Sequence, residues 1–233
     1  MHKRILTALL WICGSSLLLA QEAPAPLRRV PSLQVGVGFS GLTYKGDLNW
    51  KRETYYRLYP AVRLTAQFDN QKRVTPQVGV MLGSFSAENR TLAPVEGIQP
   101  NTFVRTRFVS ADVRLLVRLV KTGRVRPHLG VGLGFLAYDP MDAEGNSLVT
   151  NLNTRQETES YGNLAVQFPL VVGVHYRVNE LAALGLEFSH HGTTTDYLDN
   201  IGQLGARSGN DRLQALTLSL HIVPGQKARS GRR

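Results

Sequence analysis

The sequence predicts an all-β protein, an eight-stranded antiparallel up-and-down transmembrane β-barrel. Three observations carry that prediction. Apolar residues alternate with polar or glycine residues in eight successive runs, the runs are long, and the connections between them are short and long by turns. Composition narrows the field further. The 233 residues are 42% hydrophobic and only 19% charged, with 22 glycines and one cysteine. A disordered chain would carry more charge and less apolar content, and a disulfide scaffold needs more than one cysteine. Beyond residue 20 no apolar run approaches the roughly 18 residues that a membrane-spanning helix needs.

Residues 1–20, MHKRILTALLWICGSSLLLA, read as an export signal. Lys3 and Arg4 form the basic start, an apolar stretch runs from Ile5 to about Leu19, and Ala20 offers a cleavage point. Cys13 follows Leu10-Trp11-Ile12, which lacks the small residues of a lipoprotein processing site. Cleavage would remove Lys3, Arg4 and the cysteine, lowering the net charge from +10 by two units to +8. A thiol-free chain suits an oxidising periplasm. Residues 21–32 are expected to be a periplasmic linker, 33–223 the barrel, and 224–233 a basic periplasmic tail holding Lys227, Arg229, Arg232 and Arg233.

Each strand follows from alternation at 180° per residue. The first sets Leu33, Val35, Val37 and Phe39 against Gln34, Gly36, Gly38 and Ser40. The second, about Leu58–Phe68, sets Val62, Leu64 and Phe68 against Arg63, Thr65 and Gln67. The third, about Val74–Ser86, sets Val78, Val80 and Leu82 against Thr75, Gln77 and Gly79. The fourth, about Phe103–Val120, sets Val109, Val113, Leu115 and Val117 against Ser110, Asp112, Arg114 and Arg118. The fifth, about Val125–Tyr138, sets Leu129, Val131, Leu133 and Phe135 against His128 and three glycines. The sixth, about Leu164–Val178, sets Phe168, Leu170, Val172 and Tyr176 against Gln167, Gly173, His175 and Arg177. The seventh, about Leu181–His191, sets Leu184, Leu186 and Phe188 against Gly185, Glu187 and Ser189. The eighth, about Arg212–Val223, sets Leu216, Leu218, Leu220 and Ile222 against Thr217, Ser219 and His221.

Residues 69–73, 121–124 and 179–180 make tight turns, whereas 45–57, 87–102, 139–160 and 192–211 are long and polar. That asymmetry puts turns and termini in the periplasm and long loops outside the cell. Aromatic residues near strand ends are expected to form interfacial girdles. They are Tyr44, Trp50, Tyr55, Tyr56, Tyr59, Phe103, Tyr138 and Phe188 at the outer edge, with Phe68 and Tyr176 at the inner one.

Eight strands leave an interior just wide enough for side chains. The inward positions include Arg63, Asp112, Arg114, Arg118, Arg126, His175, Arg177 and Glu187. Charges in such a space must be paired or solvated. A network is therefore expected in which arginines surround Asp112 and Glu187, serving either as a salt-bridged plug or as a narrow ion path. Arg105 and Arg107 carry outward parity near the outer end of the fourth strand, where they would suit lipopolysaccharide phosphates.

Other chemistries find little support. Gly130-Val131-Gly132-Leu133-Gly134 lies inside an alternating strand with no helix after it, so it is no phosphate cradle. His190 and His191 are adjacent on a strand and point to opposite faces, unsuited to chelating one metal. Glu187, Ser189 and His191 share a face, but residues two apart on a strand lie about 6.5–7 Å apart. That spacing predicts no direct hydrogen bond among them. No catalytic, cofactor-binding or metal set is expected, and the positive charge lacks the interleaved aromatics of a nucleic-acid platform.

Two loop elements are more specific. Tyr44-Lys45-Gly46-Asp47-Leu48-Asn49 follows the first strand, and Thr195-Asp196-Tyr197-Leu198-Asp199-Asn200 follows the seventh. Together with Leu184-Gly185-Leu186-Glu187-Phe188 and Pro127–Phe135, they resemble a family of outer-membrane β-barrels from Bacteroidetes, with OmpA-like membrane barrels among its relatives. The resemblance spans nearly the whole exported chain. It implies an accessory or anchoring role in type IX protein secretion, with contact to periplasmic ring proteins. It marks Gly46, Asp47, Leu48, Asp196, Tyr197, Leu198 and Asp199 as motif positions. Asn200 stands where the family motif has a second aspartate. An aspartate in a loop can also hold turns through its own backbone. The expected function is thus a non-enzymatic structural or interaction protein of the outer membrane, with a small porin-like channel and a lipid-modifying enzyme as alternatives.

Overall fold

The computed structural model describes residues 32–49, 57–69, 73–88, 98, 101–120, 122–150, 159–202 and 209–224. The expected leader, most of the linker and nearly all of the basic tail lie outside the described residues, as do Trp50, Tyr55 and Tyr56. Eight strands form one closed antiparallel barrel in sequence order. They are β1 (Ser32–Lys45), β2 (Tyr59–Asp69), β3 (Val74–Glu88), β4 (Phe103–Arg118), β5 (Val125–Met141), β6 (Leu164–Arg177), β7 (Ala182–Thr193) and β8 (Arg212–Ile222). A short 3-10 turn, Asp47–Asn49, follows β1. The cylinder closes where β1 pairs with β8, from Val35 opposite Ile222 to Lys45 opposite Arg212. Closure leaves no sheet edge with unpaired backbone groups, the condition for strands to stand in hydrocarbon.

Strand lengths run from 11 residues in β2 and β8 to 17 in β5, enough for a tilted strand to span lipid. β5 reaches Met141, three residues beyond its expected end, and β7 reaches Thr193, two beyond. At the short turn between β4 and β5, Gly123 takes a φ of 103°, a left-handed conformation that a side chain disfavours. Apolar residues of every strand face outward. Phe39 is 71% exposed, Val131 57% and Leu218 61%. A continuous band of this kind exceeds what a water-soluble surface carries.

The interior differs from the expected uniformly polar filling. Its half nearest the short turns is polar, as predicted: Gln67 donates to Gln34 at 2.9 Å and Gln77 to Gln67 at 3.3 Å, a glutamine ladder across β1, β2 and β3. The half nearest the long loops is apolar. Leu42, Met81, Phe85, Val104, Phe108, Leu136 and Leu213 turn inward there and pack with Leu48, Leu148, Leu198 and Ile201 from the loops. These side chains are out of reach of both lipid and water, so they bury apolar area as a soluble core does.

The same arrangement corrects the expected aromatic girdle. Tyr44 and Tyr138 are buried inside the barrel, at 1% and 3% exposure, because both occupy inward parity. Tyr59 is partly buried against the same apolar cluster. Phe68 and Tyr176 do face outward near strand ends, whereas Phe188, outward too, stands in the middle of β7.

Leu133 sits near the middle of β5 with its side chain outward. A Leu133→Arg variant is expected to lose about 2–4 kcal/mol of stability in lipid vesicles. Denaturant titration in vesicles measures this, and an unchanged midpoint would place that face away from hydrocarbon.

Candidate functional site

The charged centre of the barrel is built from four strands. Asp112 and Arg114 are two apart on β4 and share its inner face. Arg63 of β2 donates twice to Asp112, from Nη2 to Oδ1 at 2.7 Å and from Nη1 to Oδ2 at 3.0 Å. Arg114 donates from Nη1 to Glu187 Oε1 of β7 at 2.6 Å and from Nη2 to Asp112 Oδ2 at 3.4 Å. Its Nε also lies 2.8 Å from Asp112 Oδ1, an ion pair that lacks hydrogen-bond alignment. His128 Nε2 of β5 stands 3.6 Å from Glu187 Oε2. Arg114 is fully buried. Forked guanidinium–carboxylate pairs of this kind satisfy charges that water cannot reach.

Glycine makes the room. Gly134 and Gly132 of β5 lie opposite Asp112 and Arg114 in the β4–β5 register. A Cβ on Gly134 would come within 2.7 Å of Asp112 Cβ, and one on Gly132 within 2.9 Å of Arg114 Cγ. The glycine run that superficially resembles a nucleotide loop is thus a smooth wall against which the ion pairs rest.

Of the inward charges read from the sequence, Arg63, Asp112, Arg114 and Glu187 are brought together. Arg118, Arg126 and Arg177 lie at the short-turn end instead, around the mouth of the barrel. Ser189 and His191 overturn the expectation that no hydrogen bond joins them. His191 Nε2 is 3.0 Å from Ser189 Oγ, and Nδ1 is 3.0 Å from Gln167 Oε1. Side chains leaning along a strand close a gap that backbone spacing alone leaves open. The third partner is an amide, not Glu187, and all three side chains are buried inside the barrel, facing away from lipid.

At the loop end the two loop motifs meet. Asp199 accepts from the Leu48 amide through Oδ2 and from the Ile201 amide through Oδ1, each at 3.0 Å. Asp211 accepts from the Tyr44 hydroxyl at 2.9 Å and from the Leu198 amide at 2.8 Å. Thr106 donates to the Leu198 carbonyl at 2.5 Å. Tyr44 stacks on Phe85 at 4.3 Å, and Tyr161 stacks between Tyr138 and Tyr197. Gly46 allows the approach, because a Cβ there would run into the Tyr44 hydroxyl and Asp211. Asn200 has a φ of 64°, a left-handed position that asparagine tolerates well. Its side-chain oxygen accepts from the Tyr161 hydroxyl at 2.6 Å. Asp47 is buried and Asp196 is half-buried.

These contacts form a clasp that ties the β1–β2 and β7–β8 loops across the barrel mouth. Sequence reading singled out both motifs but missed Asp211, Thr106 and Phe85. Asp211 stands immediately before β8, and no local pattern distinguishes it. Arg105 and Arg107 sit near the loop end of β4 with exposed, outward side chains, as expected.

Two clasp carboxylates hold their protons unusually well. Burial, with Asp47 nearby, pushes Asp199 up to about 7. Burial, with Asp199 as neighbour, raises Asp211 well above the carboxylate range. Both values exceed that of an opened loop, so the closed clasp binds more protons. Its stabilisation is full below the ordinary aspartate value of about 4 and is lost as pH rises through the folded values. Hydrogen-exchange protection of the Leu48 and Ile201 amides is expected to fall between about pH 5 and pH 8, and Asp199→Asn to flatten that dependence. Protection that rises with pH would contradict the arrangement.

The comparisons agree with this architecture. The family model for the outer membrane protein beta-barrel domain matches residues 9–221. No curated protein matches the chain. Among solved structures, Neisserial surface protein A superposes with a TM-score of 0.53 at 13% identity, covering 84% of this chain and 99% of that one. The attachment invasion locus protein of Yersinia pestis gives 0.49 at 10% identity, covering 83% and 99%. The N-terminal β-barrel domain of Pseudomonas aeruginosa OprF gives 0.40 at 10% identity, covering 83% and 100%. A closed eight-stranded cylinder, an apolar outer band and a family match over most of its length agree: the chain belongs to the outer membrane protein beta-barrel domain family.

Proposed function

We propose that this chain is a sealed, non-enzymatic barrel of the outer membrane that works as a structural and docking protein. The observation that carries this reading is the two-layered filling of the lumen. A buried ion-pair layer spans the middle, and an apolar layer capped by the loop clasp fills the half above it. A continuous aqueous path would need polar lining throughout. An apolar layer of buried Phe85, Leu136 and Leu213 opposes it.

In this reading the short turns and both termini face the periplasm and the long loops face outward, following the usual layout of such barrels. The resemblance of the two loop motifs to the Bacteroidetes family supports service to type IX secretion, with periplasmic ring proteins as the partners. The exposed guanidiniums of Arg105 and Arg107 near the loop end support contact with lipopolysaccharide phosphates. A docking role is favoured over lipid hydrolysis because Ser189 and His191 face the barrel interior.

Two measurements test the proposal together. Purified protein in a planar bilayer is expected to give no steady conductance, and in-cell crosslinking followed by affinity purification is expected to recover a periplasmic ring protein. Steady conductance would make the chain a channel. Recovery of lipid-modifying activity, or of no envelope protein, would remove the docking role.

A further inference from the structure

The loop end of the barrel carries a basic patch on the side opposite Arg105 and Arg107, since β8 lies four strands from β4 in a cylinder of eight. Register lays the patch out as a grid over three adjacent strands. His190 of β7 stands opposite Gln214 of β8, and Gln214 opposite Thr43 of β1. Two residues nearer the loops, Gly192 stands opposite Arg212, and Arg212 opposite Lys45. All six have outward parity, because their chain neighbours Tyr44, His191, Leu213 and Ala215 are buried inside.

The charges facing His190 from β8 and β1 are those of Arg212 and Lys45, both positive. Asp211, beside Arg212 in the chain, points inward and is held by the Tyr44 hydroxyl and the Leu198 amide. Among the described residues no hydrogen bond or ion pair engages the Arg212 guanidinium. Gln214 Nε2 donates to His190 Nδ1 at 3.3 Å, so the ring carries its proton on Nε2 and keeps that donor available. Among the described residues nothing lies within 4 Å of the point where a Cβ on Gly192 would stand, which leaves a bare shelf beside both side chains. Deeper in the membrane the wall is apolar: Phe188 stands opposite Leu216 and Phe39 opposite Leu218, all four exposed. Two residues along a strand are about 6.5–7 Å, so cationic donors sit one short step above lipid-facing hydrocarbon.

We propose that this patch binds a phosphate of lipopolysaccharide. His190 and Arg212 hold the phosphate over Gly192, and the acyl chains lie on Phe188, Leu216 and Phe39. A guanidinium fork matches phosphate oxygens, and a cation near the interface costs the barrel little. A soluble anion would use the donors alone, whereas a phosphate-bearing lipid uses the donors and the apolar wall together. The choice of lipopolysaccharide rests on the long loops facing outward, as proposed above. The site is separate from the contact at Arg105 and Arg107.

The test uses the full chain refolded in phosphatidylcholine nanodiscs. Bisphosphorylated lipid A, the same lipid stripped of its phosphates, and inorganic phosphate in the buffer are added separately. NMR signals of the Arg212 guanidinium and the His190 imidazole report binding. Saturable shifts of both are expected with bisphosphorylated lipid A and not with the stripped lipid. Arg212→Gln should weaken binding at least about tenfold, the loss of roughly one charge-assisted hydrogen bond, and Arg212→Lys by less. His190→Gln should weaken it too, while replacing both Arg105 and Arg107 by serine should leave the shifts unchanged. The proposal fails if the stripped lipid gives equal shifts, if inorganic phosphate saturates at the same concentration, or if Arg212→Gln binds as tightly. Orientation is read separately, by protease added to intact cells, which is expected to cut the long loops. Loops shielded from that protease would overturn the assignment to lipopolysaccharide even where lipid A binds in nanodiscs.

Discussion

The rest of the structure depends on the closure of β1 against β8. A backbone in hydrocarbon must satisfy every N–H and C=O within itself, and a sheet does so only by ending on its own beginning. Closure then fixes two environments with nothing between them. Side chains of one parity meet lipid, and those of the other share a narrow interior. Every feature of interest here is a solution to filling that interior.

The filling is layered because the surroundings differ along the axis. In the polar half, charges compensate one another, with Arg63, Asp112, Arg114 and Glu187 linked across β2, β4 and β7. The loop half lies beneath a lid made by the chain itself, and there Phe85, Leu42 and Leu136 pack against Leu48, Leu198 and Ile201. Removing one partner from the charged layer would leave an uncompensated charge, a loss usually of about 3–5 kcal/mol. In the proposed sealed barrel the two layers would oppose permeation for different reasons: the first holds fixed charges in place, and the second offers nothing to solvate an ion.

Alternation made the strands legible, since a period of two over eleven or more residues leaves little room for another fold. It also determined that Asp112 and Arg114 face inward together. Strand-end clustering of aromatics misled where parity would have served: Tyr44 and Tyr138 occupy inward positions, and that parity was readable. The apolar half of the lumen was harder to read. Where inward and outward residues are both apolar, as in Leu136-Ala137, alternation disappears from the sequence. The clasp was visible only as two separate motifs. Leu48 and Asp199 are 151 positions apart, and nothing in their local spacing joins them. Ser189 and His191 were misjudged because backbone spacing ignores the lean of side chains along a strand.

The central claim is that one parity of each strand meets lipid while the other is sealed from both lipid and water. Cys13 is the one cysteine of the sequence, so with Cys13→Ala as background single thiols report it cleanly. In vesicles, Val109→Cys on the outward face should react with a lipid-soluble pyrene maleimide. Ser110→Cys, on the next residue, should react neither with that reagent nor with a water-soluble methanethiosulfonate. Modification of Ser110→Cys by the water-soluble reagent would mean an open lumen, and modification by the lipid-soluble one would mean that the two faces are reversed.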